Sequence, residues 1–235
     1  MKVFSSSAEA VKDVFDGAVV MMGGFGLCGI PENLIRALRD QGAKNLTIVS
    51  NNAGVDDHGI GILIANGQVK KMIMSYGGEN KAFEKLALTG ALDVEWTPQG
   101  TLAERIRAGG AGLGGFYTPT GYGTIVAQGK ETKQIDGRWY VFEKPLKADF
   151  AFVKAFKGDK SGNLIYRKTA RNFNPMMATA AKVTIAEVEE LLETGSLNSG
   201  EAHTSAIFVK RIVRGEKYLK IIERRTVRAR TAVAA

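Results

Sequence analysis

Residues 23–31 read Gly23-Gly24-Phe25-Gly26-Leu27-Cys28-Gly29-Ile30-Pro31, and they define the first chemistry open to this chain. Glycines let bare backbone approach a ligand closely. Pro31 then opens a helical pattern whose first N–H groups lack intrahelical partners and carry the positive dipole end. A glycine turn before a helix start suits an anion: a phosphate, a carboxylate or a developing oxyanion. Glu79, after Ser75-Tyr76-Gly77-Gly78 and before Asn80, is the second candidate. A carboxylate there serves equally as nucleophile or base, or as the negative charge that a helix start prefers. Asn51, in Asn51-Asn52-Ala53-Gly54, and Gln99, in Thr97-Pro98-Gln99-Gly100, place amides at two further strand ends. An amide hydrogen-bonds a carbonyl or carboxylate without adding charge.

Other chemistries fit less well. Gly24-Phe25-Gly26-Leu27-Cys28-Gly29 matches the G-x-G-x-x-G dinucleotide fingerprint. That fingerprint also needs an acid at the end of the second strand to hold the ribose. Here that strand ends in Asn51-Asn52, and Asp56 and Asp57 fall in the loop beyond, so NAD is not expected. His58 and His203 are the two histidines, far apart and without ligand-spaced partners, so no metal is expected. No G-x-S-x-G elbow occurs. Cys28 is read as a small side chain filling a tight corner rather than as a nucleophile.

These residues need elements to hold them. Apolar runs at 18–22, 46–50, 71–75 and 92–96 read as strands. Between and around them, 7–15, 32–41, 60–65, 80–88 and 101–108 read as helices. The 60–65 helix would be capped from Asp56 or Asp57, and Thr101 with Glu104 has capping-box spacing. Alternation of this kind predicts an α/β fold, a mostly parallel sheet with helices on both faces. Ligands of such sheets bind at the carboxyl ends of the strands, so the glycine loop, 51–54, 76–80 and 97–100 should share one rim. From 124 the texture changes. Residues 133–142 predict a hairpin turning at Asp136-Gly137, part of a smaller β-rich insertion around 110–150. Segments 150–156 and 164–166 read as strands, 183–193 as an acidic amphipathic helix, and 206–213 and 218–222 as strands. No repeat or linker divides the chain, which is read as one domain over residues 1–235.

Bulk properties set outer limits. The 235 residues are 45% hydrophobic and 24% charged, with net charge +8. Nine basic residues against two acidic ones in 205–235 carry most of that charge. With little aromatic interleaving, this tail reads as a solvated edge or a face for an acidic partner or anionic ligand, not as a nucleic-acid module. The single cysteine suits a reducing compartment. With no apolar run of membrane-span length and no secretory signature at the first residues, a cytoplasmic location without membrane contact is expected.

Taken in order, these motifs resemble the family I CoA transferases over nearly the whole chain. The resemblance rests on residues 16–31, Asn51-Asn52-Ala53-Gly54, Gly78-Glu79-Asn80, residues 95–105, 107–112 and 116–124, Gly162-Asn163, Arg171-Asn172-Phe173-Asn174 and Gly215-Glu216-Lys217-Tyr218. It is closest to the A-subunit type that acts on succinyl-CoA and 3-oxoacids such as acetoacetate. The resemblance implies an open α/β fold of the CoA transferase and NagB-like kind, with coenzyme A as substrate. A glutamate would attack the thioester to give an anhydride, and CoA thiolate would then give an enzyme-bound glutamyl-CoA thioester. It implies that this glutamate belongs to a B subunit, in a Ser-Glu-Asn-Gly-type motif. Lys81 stands where that motif ends in glycine, so Glu79 is expected to be its relic and no catalytic residue is expected on this chain. Gly24, Phe25, Gly26, Leu27, Cys28, Gly29 and Ile30 would form the CoA-binding loop. Asn51 and Gln99 would face the acid substrate. A hetero-oligomer with a B subunit is implied. The alternatives are another acid specificity on the same scaffold, such as 3-oxoadipate or acetate, and a phosphate- or nucleotide-binding module.

Overall fold

The computed structural model describes residues 2–221. Strand β1 (Val19–Met22) sends Val20 and Met22 into one apolar core and Met21 into another on the opposite face. A strand buried on both faces belongs in a parallel sheet covered by helices on both sides. The same alternation holds in β2 (Leu46–Val49), β3 (Val69–Met74) and the long β8 (Ala148–Asp159), where Phe150 and Phe152 face one core and Ala151 and Val153 the other. Helices α1 (Ser7–Val11), α2 (Glu32–Gln41), α3 (Gly61–Ala65) and α4 (Lys81–Leu88) cover the first face. Helices α5 (Gln99–Ala111) and α6 (Asn174–Thr179) cover the second.

The sheet order is β11-β10-β8-β1-β2-β3-β4, with β4 at Asp93–Trp96, β10 at Ala181–Leu192 and β11 at Val209–Arg214. All seven strands run parallel, and the short β9 (Leu164–Ile165) adds to β8 antiparallel. The chain leaves β1 in one direction through β2, β3 and β4, then returns to its other side as β8. The point between β1 and β8 is therefore the topological switch, where such sheets open a crevice at their carboxyl ends. Strands β5 (Phe116–Thr118), β6 (Thr132–Ile135) and β7 (Arg138–Glu143) make the expected β-rich insertion as a separate antiparallel sheet. Its β6–β7 hairpin turns at Asp136 and Gly137, both at positive φ.

Some expectations are corrected. Segment 183–193 is not a helix: residues 183–192 lie in β10. Val183, Thr184, Ile185 and Val188 are β-branched, which suits a strand. Its acids, which looked like a solvated helix face, answer a row of lysines across the sheet: Lys154–Glu189, Lys157–Glu190 and, just past the strands, Lys160–Glu193. The strand read at 206–213 is β11, which starts later, at Val209, and ends at Arg214, and 218–221 forms no strand. Ile222 and the basic residues beyond it lie outside the described residues. Helix α5 begins two residues earlier than its capping-box reading, so Thr101 lies inside the helix with a buried, unbonded hydroxyl. Neither Asp56 nor Asp57 caps α3; Asp56 instead accepts the N–H of Ala82 at the start of α4.

Candidate functional site

The glycine loop, Asn51, Glu79 and Gln99 follow β1, β2, β3 and β4 at the carboxyl ends of four adjacent parallel strands. The rim that the spacing predicted is present.

The loop is a tight miniature hairpin. Phe25 and Cys28 exchange both backbone hydrogen bonds at 3.0 Å around Gly26 and Leu27. Leu27 is buried as an anchor, while Phe25 is exposed. Glycine is demanded at Gly29, where φ is +74° and a Cβ would lie 2.7 Å from the Ala170 carbonyl oxygen. Two asparagines hold the loop from behind. Asn172 accepts from Gly24 N–H (3.2 Å) and donates to the Cys28 carbonyl (3.0 Å). Asn174 donates to the Gly29 carbonyl (3.0 Å), and its oxygen accepts from Lys154 N–H in β8. The sequence pattern includes these asparagines without revealing what they hold. Cys28 is half-buried, with Sγ 3.6 Å from Thr169 Oγ1.

The helix start behind the loop does not offer the expected anion site. Glu187 of β10, fully buried, fills it. Its carboxylate accepts from Asn33 N–H (2.8 Å), Leu34 N–H (2.9 Å) and Asn33 Nδ2 (2.7 Å). The remaining first-turn N–H groups, of Glu32 and Ile35, bond to the Ile30 and Pro31 carbonyls. The α2 dipole is thus answered from within, and an incoming ligand must use the loop itself. Burial pushes the Glu187 carboxyl up to about 7, although its hydrogen bonds pull it down. Tyr218 packs beside it, and burial first, then the charge of Glu187, raises the phenol well above its ordinary range. The strand reading of 183–193 would have revealed this group.

Asn51 and Gln99 are brought together. Gln99 Nε2 donates to Asn51 Oδ1 at 2.8 Å, and Ser75 Oγ donates to the same atom at 3.0 Å. With its side-chain oxygen taken twice, Asn51 has its N–H2 left to offer a substrate. Asn51 is almost fully buried, whereas Gln99 is exposed. Arg105 of α5 fixes the approach to Gln99, bonding Glu95 (2.7 Å) and Thr97 (3.3 Å) at the end of β4. Glu79 is half-buried beside Asn80, whose side chain caps α4 by accepting from Phe83 N–H (2.8 Å) and donates to the Ala53 carbonyl (3.0 Å). Three large rings stand exposed on this rim, Phe25 after β1, Tyr76 after β3 and Trp96 at the end of β4.

Among the described residues no cluster of three or more His, Cys, Asp or Glu side chains is placed to hold a metal ion. No helix among them is long and apolar enough to cross a membrane. The profile of the family described as Coenzyme A transferase matches residues 4–215. The chain belongs to that family. It is 61% identical over 226 residues, 96% of this chain and 95% of the relative, to the Bacillus subtilis (strain 168) protein named as the A subunit of a probable succinyl-CoA:3-ketoacid coenzyme A transferase. It is 49% identical to the mouse mitochondrial succinyl-CoA:3-ketoacid coenzyme A transferase 2A, where 96% of this chain spans only 47% of that protein. Among solved structures, an acyl-CoA transferase from Escherichia coli O157:H7 superposes with TM-score 0.80 at 24% identity, over 91% of this chain and 47% of that one. That likeness carries the fold. As a CoA transferase, the chain has its glycine loop at the switch point of the sheet and its amide pair at the ends of β2 and β4.

Proposed function

We propose that this chain is the A subunit of a succinyl-CoA:3-ketoacid CoA transferase, moving CoA from succinyl-CoA to a 3-oxoacid such as acetoacetate. Its whole length acts as one unit, in the cytoplasm, and is inactive until a B subunit closes the rim. The observation that carries this reading is the shared rim: the stapled glycine loop and the hydrogen-bonded Asn51–Gln99 pair lie at the carboxyl end of one sheet, where Gln99, Phe25, Tyr76 and Trp96 are exposed. The high identity to chains named as this subunit supports it. So does the match to half of the mouse enzyme, since the missing half would supply the rest of the site.

The chemistry follows from the pieces. A partner glutamate attacks the thioester carbonyl of succinyl-CoA, and CoA thiolate leaves. The thiolate attacks the resulting anhydride at the glutamyl carbonyl, expelling succinate and leaving a glutamyl-CoA thioester. The 3-oxoacid carboxylate then reverses the two steps. Each attack builds charge on a carbonyl oxygen, and preformed N–H donors stabilise it without rearranging. Residues 24–30 supply backbone for the thioester arm, and Asn51 and Gln99 orient the acid by hydrogen bonds. The anhydride is destroyed by water, so a dry, covered rim is required, which the exposed rings provide once a partner is seated. Glu79 takes no part in the covalent steps.

Co-expression with the B subunit, followed by assay of acetoacetyl-CoA formation from succinyl-CoA and acetoacetate, tests this. Turnover is expected from the assembled pair, from the pair carrying Glu79→Gln, and not from this chain alone. Turnover by the isolated chain, abolished by Glu79→Gln, would overturn the proposal.

A further inference from the structure

Strands β2 and β3 are parallel neighbours, and their register pairs Val49 with Ile73. Two residues further along each strand, Asn51 lies level with Ser75, and the Asn52–Tyr76 bridge continues the same register. Neighbouring strands run ~4.8 Å apart, so side chains at one level come within reach of each other. The half-buried Ser75 hydroxyl uses that reach. Its Oγ lies 2.9 Å from the Asn51 main-chain carbonyl oxygen and 3.0 Å from Asn51 Oδ1. One O–H has one proton to give. The main-chain oxygen already accepts from Ser75 N–H (3.1 Å) and Tyr76 N–H (3.2 Å), which fills both of its lone pairs. Oδ1 accepts from Gln99 Nε2 (2.8 Å) and has one lone pair left. The hydroxyl proton therefore belongs on Oδ1.

That proton decides which end of the amide faces out. An asparagine side chain has an acceptor end and a donor end of nearly the same shape. With both lone pairs of Oδ1 taken, Asn51 keeps its oxygen toward Ser75 and Gln99, and its Nδ2 donates to no described residue. Turned end for end, the amide would set its N–H2 against these two neighbours and show its oxygen to the rim. Gln99 could follow such a turn, since its own amide has both ends. The Ser75 proton could not, because its other acceptor is full. An incoming carboxylate is hydrogen-bonded by an outward N–H2 and repelled by an outward oxygen. We propose that Ser75 is a positioning residue of the transferase, whose hydroxyl keeps the donor end of Asn51 toward the acid substrate. Ser75 acts through Asn51 alone. This role rests on the CoA transferase reading above and deepens it.

The test is steady-state kinetics of the assembled two-chain enzyme with Ser75→Ala, Ser75→Thr, Asn51→Ala, and Ser75→Ala combined with Asn51→Ala. Ser75→Ala removes the proton, whereas Ser75→Thr keeps it on a residue that suits a strand end. The expected result for Ser75→Ala is a KM for acetoacetate raised roughly three- to tenfold, with kcat changed by less than about twofold. Ser75→Thr is expected to restore the wild-type KM. In the Asn51→Ala background, Ser75→Ala is expected to add nothing, because the amide it positions is gone. A KM unmoved by Ser75→Ala, a Ser75→Thr enzyme as impaired as Ser75→Ala, or effects that multiply in the double variant would overturn the positioning role and leave the function standing. An Asn51→Ala enzyme with unchanged kinetics for acetoacetate would overturn the place of that amide in the site as well.

Discussion

Gln99 and Asn51 form the smallest unit of the proposed mechanism. Their mutual hydrogen bond of 2.8 Å fixes both amides, so each presents its remaining donor in a set direction. Losing a donor to a charged carboxylate costs about 1.5–3 kcal/mol, roughly 10- to 100-fold. Gln99→Ala should therefore lower kcat/KM for acetoacetate by roughly 10- to 100-fold in the assembled enzyme, with melting temperature little changed because Gln99 is exposed. Gly29 is the residue where sterics decide. Adding a Cβ at φ +74°, 2.7 Å from the Ala170 oxygen, forces the loop off its asparagine staples. Gly29→Ala is expected to destabilise the chain by more than about 1 kcal/mol in denaturant unfolding and to weaken CoA binding measured by calorimetry.

At the scale of elements, β10 and α2 are bound together through Glu187. A buried carboxyl whose folded-state value is about 7 keeps a proton that the unfolded chain, near 4.5, has already lost. Its contribution to stability is therefore full below about 4.5 and is lost as pH rises to about 7. Glu187→Gln should remove that fall, so the difference between wild-type and variant melting temperatures should change across this window and level off above it. Strands β1 to β4 and helix α2 were legible because apolar period and glycine punctuation agree there; α2 even ends at Gly42, in the left-handed conformation expected of a helix stop. Strand β10 was not legible. Its glutamates have helical propensity, and their partners Lys154 and Lys157 lie more than thirty residues away in β8. Likewise the site's glycine loop and amides were readable from their strand ends. The occupant of the helix start came from that misread strand and was missed.

At the scale of the whole molecule, the order in which strands are added reverses between β1 and β8, and the loop and the amide pair lie at the carboxyl end of the sheet where it does so. Phe25, Tyr76 and Trp96 are exposed at that end, which the proposed two-chain site would use. In the proposed mechanism the chain supplies a cradle for the thioester carrier while its partner supplies the attacking carboxylate. The direct measurement is to incubate the assembled enzyme with succinyl-CoA, trap the glutamyl-CoA adduct with borohydride or hydroxylamine, and map it by peptide mass spectrometry. The adduct is predicted on a glutamate of the partner chain, with every peptide of this chain unmodified. An adduct on Glu79, or on any other residue of this chain, would contradict the account.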